Sequence, residues 1–364
     1  MRARLWTPAL LLDLDAFEHN IGSMSALCRK AGKLLRPHAK THKSTTIARK
    51  QLAAGAVGIS VATVREAAAM INAGIAEILV TSPVAGEAKL DAVARLATIA
   101  RGLIVVVDSL EGMEALEVRM RREGRTVKVL LDVDVGMKRT GVSDMRQAAK
   151  IAARLRMSGS LEFLGLQCYS GMIQHIPALS RRTRTYGNEL HQLENLLEVL
   201  AGRGFTPQIV SGGGTGSFYI DSTRGLFTEL QAGSYIFMDL QYSDVELFPS
   251  KRRPFRTSLY VQSMVLSNNH PGAATLDAGF KSFSLDGPLP VPGRGAPRSS
   301  TFQFYGDEFG MLRFPGSRKR MRLGSMVDFV TPHCDPTVNL HDFYHCVRAD
   351  RLVDIWPIDA RGTL

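Results

Sequence analysis

The chain has 364 residues, 45% hydrophobic and 22% charged, enough to bury a substantial core and most simply read as one large domain plus a smaller one. Four cysteines, Cys28, Cys168, Cys334 and Cys346, are too few and too scattered for a disulfide framework and agree with a reducing compartment. The net charge of +11 comes from short clusters, Arg119 to Arg122, Arg181 to Arg184, Lys251 to Arg256 and Arg318 to Arg322; no nucleic-acid-binding signature accompanies them, so a solvated basic surface is expected.

Met1 to Leu12 carries neither a bilayer-length apolar stretch nor a signal-peptide pattern, so a cytoplasmic protein without membrane attachment is expected. Ala9 to Leu14 reads as a strand lying outside the main sheet, followed by a helix over Asp15 to Ala31. From Leu34 to about Gly233, short β-rich apolar runs alternate with helix-length amphipathic stretches, the pattern of parallel β/α units. The predicted strands are Leu34 to Pro37, Val57 to Val61, Glu77 to Val80, Leu103 to Val107, Val127 to Val133, Leu161 to Gln167, Pro207 to Val210 and Thr228 to Gln231. Eight such units predict an α/β fold, a closed (β/α)8 TIM-type barrel with its chemistry at the C-terminal strand ends; an open doubly wound sheet is the alternative. After Asp239 the pattern changes to β-prone segments such as Ser258 to Leu266 and Met326 to Val330, with a Pro/Gly-rich loop over Asp286 to Ser300, which predicts a second, mostly β domain.

Several motifs fall at predicted C-terminal strand ends. Residues 36 to 43 read Arg-Pro-His-Ala-Lys-Thr-His-Lys, so Lys40 is flanked by His38, His42 and Lys43. Crowding by cations is expected to weaken the charged form of Lys40, leaving an amine able to form a Schiff base, as with pyridoxal phosphate; a basic anion-binding loop is the simpler alternative. Asp132-Val-Asp134-Val-Gly136-Met-Lys-Arg139-Thr-Gly141 has glycines able to turn Arg139 inward, or forms a plain surface turn. Gln167-Cys168-Tyr169-Ser-Gly-Met-Ile-Gln-His175 offers a stacking ring and a general base, or His175 is a plain solvated or hydrogen-bonded loop histidine. Ser211-Gly-Gly-Gly214-Thr215-Gly-Ser217, joined by Gly233-Ser234-Tyr235, suits a single phosphate or is a flexible linker; it matches neither the P-loop nor the dinucleotide fingerprint.

Near the C-terminus, Thr331-Pro-His333-Cys334-Asp335-Pro336 places an imidazole and a carboxylate two residues apart, on one face if extended. With oxygen and water completing the shell, the pair favours Mn2+ or Mg2+. A zinc site from Cys334, His341, His345 and Cys346 is the competing idea and lacks paired Cys-x-x-Cys knuckles; a capped turn before Pro336 is the third.

Together these segments, from the Lys40 loop to the His333 motif, resemble the D-threonine aldolase and D-serine dehydratase group, which belongs with alanine racemase among fold type III pyridoxal phosphate enzymes. The resemblance implies that Lys40 carries the cofactor, Arg139 faces its pyridine nitrogen, Tyr169 lies beside it, and Gly214, Thr215, Gly233 and Ser234 hold its phosphate. It implies a barrel over 13–244, a β domain from 1–12 plus 245–364 carrying the metal site, and a homodimer. The group's dehydratases show His-x-Cys at the metal and its aldolases His-x-Asp, so His333 and Asp335 favour the aldolase branch. By the same resemblance His175 is the base, while Gln167 and Asp307 belong to the surroundings of substrate or metal. Phe309 departs from the histidine of many relatives and puts the contacts around Asp307 in question. The expected reaction is retro-aldol cleavage of a small D-β-hydroxy-α-amino acid to glycine and an aldehyde. A dehydratase, a 3-hydroxy-D-aspartate aldolase and a non-catalytic pyridoxal phosphate-binding protein are the alternatives.

Overall fold

Strands buried on both faces need continuous apolar runs, and the runs read above form one parallel sheet. The computed structural model describes residues 4–249, 253–314 and 320–363; the basic positions at 251, 252, 318 and 319 lie outside the described residues. In chain order the first half contains β1 (Ala9–Asp13), α1 (Leu14–Ala31), β2 (Leu34–Leu35), α2 (Thr45–Ala53), β3 (Ile59–Val61), α3 (Val64–Asn72), β4 (Ile78–Val80), α4 (Glu87–Ile99), β5 (Ile104–Val107), α5 (Leu110–Arg122) and β6 (Val127–Val133). It continues through α6 (Met145–Arg156), β7 (Leu161–Cys168), α7 (Leu179–Gly202), β8 (Ile209–Gly212), α8 (Phe218–Thr223), β9 (Glu229–Leu230) and α9 (Leu240–Ser243). Side chains of Asp13, Thr63, Ser109 and Asp144 accept first-turn amides of α1, α3, α5 and α6, satisfying donors that a helix start leaves unpaired.

The eight-stranded sheet runs β2-β9-β8-β7-β6-β5-β4-β3, all parallel. Its two ends meet: Val57 N donates to Leu35 O at 2.9 Å and Ser60 N to Pro37 O at 2.9 Å, with a parallel bridge between His38 and Ser60. The open-sheet alternative is thereby excluded. Alternate strand residues face opposite ways. Leu79, Ile104, Val106, Leu130 and Leu164 form a small inner cluster, while Val80, Val105, Val107, Val129 and Leu131 pack with helix residues such as Met70 and Val93. Gly165, at φ +153°, lets β7 approach β8 where a Cβ would come within 1.9 Å of Ile209 O.

Strand bounds differ from the sequence reading by at most two residues, and β6 matches it at both ends. β2 and β9 are two residues each, because beyond them the backbone turns into the loops that build the site. β8 starts later than expected and takes in Ser211 and Gly212, so the first part of the glycine run is strand, not linker.

The second sheet contains β10 (Leu259–Ser267), β11 (Ala273–Leu276), β12 (Val291–Pro292), β13 (Thr301–Phe304), β14 (Gly310–Arg313), β15 (Met326–Val330), β16 (Phe343–Arg348) and β17 (Arg351–Pro357), with α10 (Cys334–Val338) after β15. β1 joins it, antiparallel to β10 and parallel to β16, so the N-terminal strand belongs to this sheet and not to the barrel. The Pro/Gly-rich loop is interrupted by β12, which pairs with β15. The two sheets are tied near the Lys40 loop, where Tyr344 Oη donates to His42 O at 2.7 Å and Asp359 accepts from both Thr45 N and Thr45 Oγ1.

Candidate active site

Lys40 sits in a short 3-10 turn, Ala39–Thr41, just past β2. His38 caps this turn: its Nδ1 accepts from Lys40 N at 3.3 Å, so Nε2 carries the proton and faces Thr81 Oγ1 at 3.1 Å. Burial first, then the Lys40 charge, holds His38 well below the usual imidazole range, so it is neutral.

The charge environment of Lys40 corrects the sequence reading. Its Nζ lies 3.7 Å from Asp335 Oδ2, and this carboxylate outweighs burial and raises the amine's pKa instead of lowering it. The other flanking cations are directed elsewhere. Lys43 pairs with Glu66 at 3.3 Å, and His42 Nε2 faces Gln51 Oε1 at 3.2 Å, where burial pushes its pKa down to about 4.

A cavity of about 390 Å3 opens at the C-terminal ends of the barrel strands and is lined by Lys40, Arg139, Gln167, Tyr169, His175, Gly214, Thr215, Gly233, Ser234, His333 and Asp335. All but one of the site residues expected from sequence therefore face one space. Asp307 does not: its exposed carboxylate lies 3.8 Å from Lys281 Nζ, away from this cavity.

Arg139 reaches the rim on the loop after β6, with its guanidinium 5.6 Å from the Tyr169 ring centre. Gly141, at φ +95°, allows the close return of that loop, since a Cβ there would meet Asp134 N at 2.5 Å. The loop is pinned by Asp132, which accepts from Thr140 Oγ1 and Gln167 Nε2, both at 2.9 Å. Burial raises the Asp132 carboxyl to about 6 against those two donors. Gln231 Nε2 donates to Gln167 Oε1 at 3.3 Å and to Ser211 Oγ at 2.8 Å, extending the network beneath the cavity.

The glycine-rich turn is rigid. Gly214 N donates to Ser217 Oγ at 2.9 Å, Gly216 N and Ser217 N donate to Gln174 Oε1, and Ser217 Oγ donates to the buried Asp221 at 2.6 Å. Thr215 Oγ1 accepts from Tyr235 N at 3.0 Å and so clamps this turn to the Gly233-Ser234-Tyr235 loop. Hydroxyls and bare backbone edges from both loops line one wall of the Lys40 cavity, an arrangement that suits an anion. Amine, anion cradle and aromatic–guanidinium pair on one cavity fit a phosphorylated aldehyde cofactor.

His333 and Asp335 arrive from the start of α10. His333 Nε2 and Asp335 Oδ1 are 4.0 Å apart, so a small movement of either side chain brings both onto one ion with bonds of about 2.1 Å. Burial opposes ionisation of Asp335, yet Lys40 and His333 together hold its pKa below the usual value. Cys334, between them, is buried and turned from the cavity, its Sγ donating to Asp335 Oδ1 at 3.3 Å. The competing zinc cluster does not form: His341 Nε2 faces Ser282 O, His345 Nδ1 faces Leu10 O, and among the described residues no three His, Cys, Asp or Glu side chains converge on a metal position.

His175 lies at the cavity mouth with its ring centre 4.7 Å from that of the buried Tyr242. Desolvation lowers its pKa, favouring the neutral, proton-accepting ring. Sequence reasoning missed Tyr242, Thr81 and Asp239, and gave no role to Asp132, although that residue opens the Arg139 motif. Asp239 accepts from Tyr242 N at 3.2 Å and Cys334 N at 2.8 Å, coupling the base's support to the His333 segment. Tyr242, Thr81 and Asp239 carry no local motif.

The family model described as the alanine racemase N-terminal domain matches residues 12–241, and the serine dehydratase domain model matches 258–347. The chain is 38% identical to a D-threonine aldolase of an Arthrobacter species over 99% of this chain and 94% of that protein. It is 34% identical to a 3-hydroxy-D-aspartate aldolase of Paracoccus denitrificans (strain Pd 1222), over 99% and 93% respectively. The crystal structure of D-threonine aldolase from Filomicrobium marinum superposes with a TM-score of 0.95 at 36% identity, covering 100% of this chain and 97% of that one. Barrel, appended β domain and near-complete coverage by these relatives place the chain in the D-threonine aldolase and D-serine dehydratase-like family of pyridoxal phosphate enzymes with the alanine racemase fold.

Proposed function

We propose that the protein is a pyridoxal phosphate- and divalent metal-dependent lyase that cleaves small D-β-hydroxy-α-amino acids, D-threonine-like, to glycine and an aldehyde. One observation carries this reading: amine, base and a His/Asp pair face a single cavity, with a carboxylate rather than a thiol at position 335. In this reading Lys40 supplies the amine that holds the cofactor aldehyde, Thr215, Ser234 and the backbone at Gly214 and Gly233 hold its phosphate, and Arg139 and Tyr169 border its ring. His333 and Asp335 hold the ion, Mn2+ or Mg2+, in accord with their nitrogen and oxygen donors.

When bound, the cofactor held at Lys40 would supply an electron sink for the pair released as Cα–Cβ breaks, and an ion held by His333 and Asp335 would supply positive charge to the β-oxygen. His175, neutral at its lowered pKa, takes the proton from the β-hydroxyl. The C–O bond becomes the aldehyde C=O, and protonation at Cα yields glycine. The Gln167 amide, fixed by Asp132 and by Thr81 O at 2.9 Å, shapes the cavity floor. Asp307 remains a proposed accessory residue only in an assembly, because within one chain it stands apart from the cavity. We propose a homodimer working in the cytoplasm; among the described residues no helix is long and apolar enough to cross a membrane.

The test is a panel of D- and L-hydroxy amino acids, including D-threonine, D-serine and 3-hydroxy-D-aspartate, with pyridoxal phosphate and Mn2+, with and without chelator. Glycine plus aldehyde from D-substrates, lost on chelation, is expected. A 2-oxo acid plus ammonia identifies a dehydratase instead. His175→Ala should reduce cleavage by about 10²- to 10⁴-fold while retaining the yellow cofactor; normal turnover would remove His175 from its role.

A further inference from the structure

A metal-binding imidazole binds best when its second ring nitrogen is held, since that bond fixes both tautomer and ring orientation. In this chain the hold comes from Asp286, at the start of the Pro/Gly-rich loop: Asp286 Oδ2 lies 2.7 Å from His333 Nδ1. A carboxylate accepts, so Nδ1 carries the hydrogen and Nε2, directed toward Asp335, is the nitrogen available to an ion.

The contact is built into the fold. Ser284, two residues before Asp286, grips the His333 backbone from both sides: His333 N donates to Ser284 Oγ at 3.1 Å and Ser284 Oγ lies 3.1 Å from His333 O. Ser284 N is itself held by Thr337 Oγ1 of α10 at 3.1 Å. Ser284 thus fixes the main chain of His333 while Asp286 fixes its ring. The Asp286 carbonyl accepts from Gln241 Nε2 at 2.8 Å, and Gln241 adjoins Tyr242, on which His175 rests. The loop thus refers the position of His333 to the segment supporting the proposed base.

We propose that Asp286 is the positioning residue of the metal site, orienting His333 through Nδ1 and setting the site's affinity for a divalent ion. This rests on the proposed metal role of His333 and Asp335. The test is Mn2+ titration of the cofactor-loaded protein, followed by the electron paramagnetic resonance signal of the free ion, for wild type, Asp286→Ala, Asp286→Asn and His333→Ala. Asp286→Ala should weaken Mn2+ binding by about 10- to 100-fold, with cofactor absorbance and thermal midpoint of the metal-free protein unchanged, and Asp286→Asn, which retains an acceptor oxygen, should recover part of the loss. Asp286 is exposed, so folding is not at stake. Wild-type affinity in Asp286→Ala together with lost binding in His333→Ala overturns the role of Asp286 alone. Wild-type affinity in His333→Ala overturns the metal site itself, and the inference with it.

Discussion

Replacing Asp221 by Asn should flatten a pH dependence of stability that this one carboxyl imposes. Asp221 lies fully buried beneath the glycine-rich turn, and burial raises its pKa from 3.8 to about 7 despite the hydrogen bond from Ser217 Oγ and the nearby Tyr186 hydroxyl and Gly214 backbone. In the unfolded chain the carboxyl loses its proton near 3.8; in the native protein it keeps it to about 7. Between those values the unfolded state binds fewer protons, so native stability falls as pH rises, fully present below the lower value and lost above the upper. At about 1.4 kcal/mol per pH unit the cost accumulates to the order of 4 kcal/mol by neutral pH. Asn at 221 keeps an oxygen for Ser217 Oγ, does not titrate, and leaves the turn in place. Urea unfolding followed by circular dichroism from pH 4 to pH 8 should show the variant gaining on wild type across that window and holding its advantage above it. A stability difference that stays constant with pH, or an advantage that shrinks as pH rises, would refute the reasoning.

The buried pair between Arg36 and Glu229, at 2.8 and 3.0 Å, joins the last barrel strand to the first, so Glu229→Ala strands a guanidinium in the core and should cost about 3–5 kcal/mol, read as a lowered urea midpoint. A Cβ at Gly216 would lie 2.0 Å from Gln174 O, so Gly216→Ala should displace the turn proposed to hold the phosphate and weaken pyridoxal phosphate retention during dialysis, with the cofactor's visible absorbance as readout. Thr81→Val removes the partner of His38 Nε2 and should slow cleavage while leaving Mn2+ affinity unchanged; altered Mn2+ binding would show that the His38 cap acts on the metal limb.

The barrel was legible because β5 is an unbroken apolar run buried on both faces, and β6 and β7 are apolar and buried over most of their length. Their C-terminal ends located Arg139, Tyr169 and His175. The short strands β2 and β9 were legible only as approximate positions, since two paired residues leave little periodic signal. Lys40's surroundings were misread for a specific reason: Lys43 and His42 are directed away from it and His38 is held neutral, whereas Asp335 reaches it from the far end of the chain. Asp286 and Asp239 stayed invisible because each acts through one long-range bond, to His333 and to Cys334, that no spacing encodes. Asp307 shows the converse: a sequence resemblance assigned it to the site, while within one chain it pairs with Lys281 outside the cavity.

The central claim is that Lys40 is the amine that holds the cofactor. Borohydride reduction of the pyridoxal phosphate-loaded protein, followed by peptide mapping, should find a single phosphopyridoxyl-lysine within His38-Ala39-Lys40 and none in Lys40→Ala. Modification at Lys43 or any other lysine, or no adduct in freshly reconstituted protein, would contradict the account.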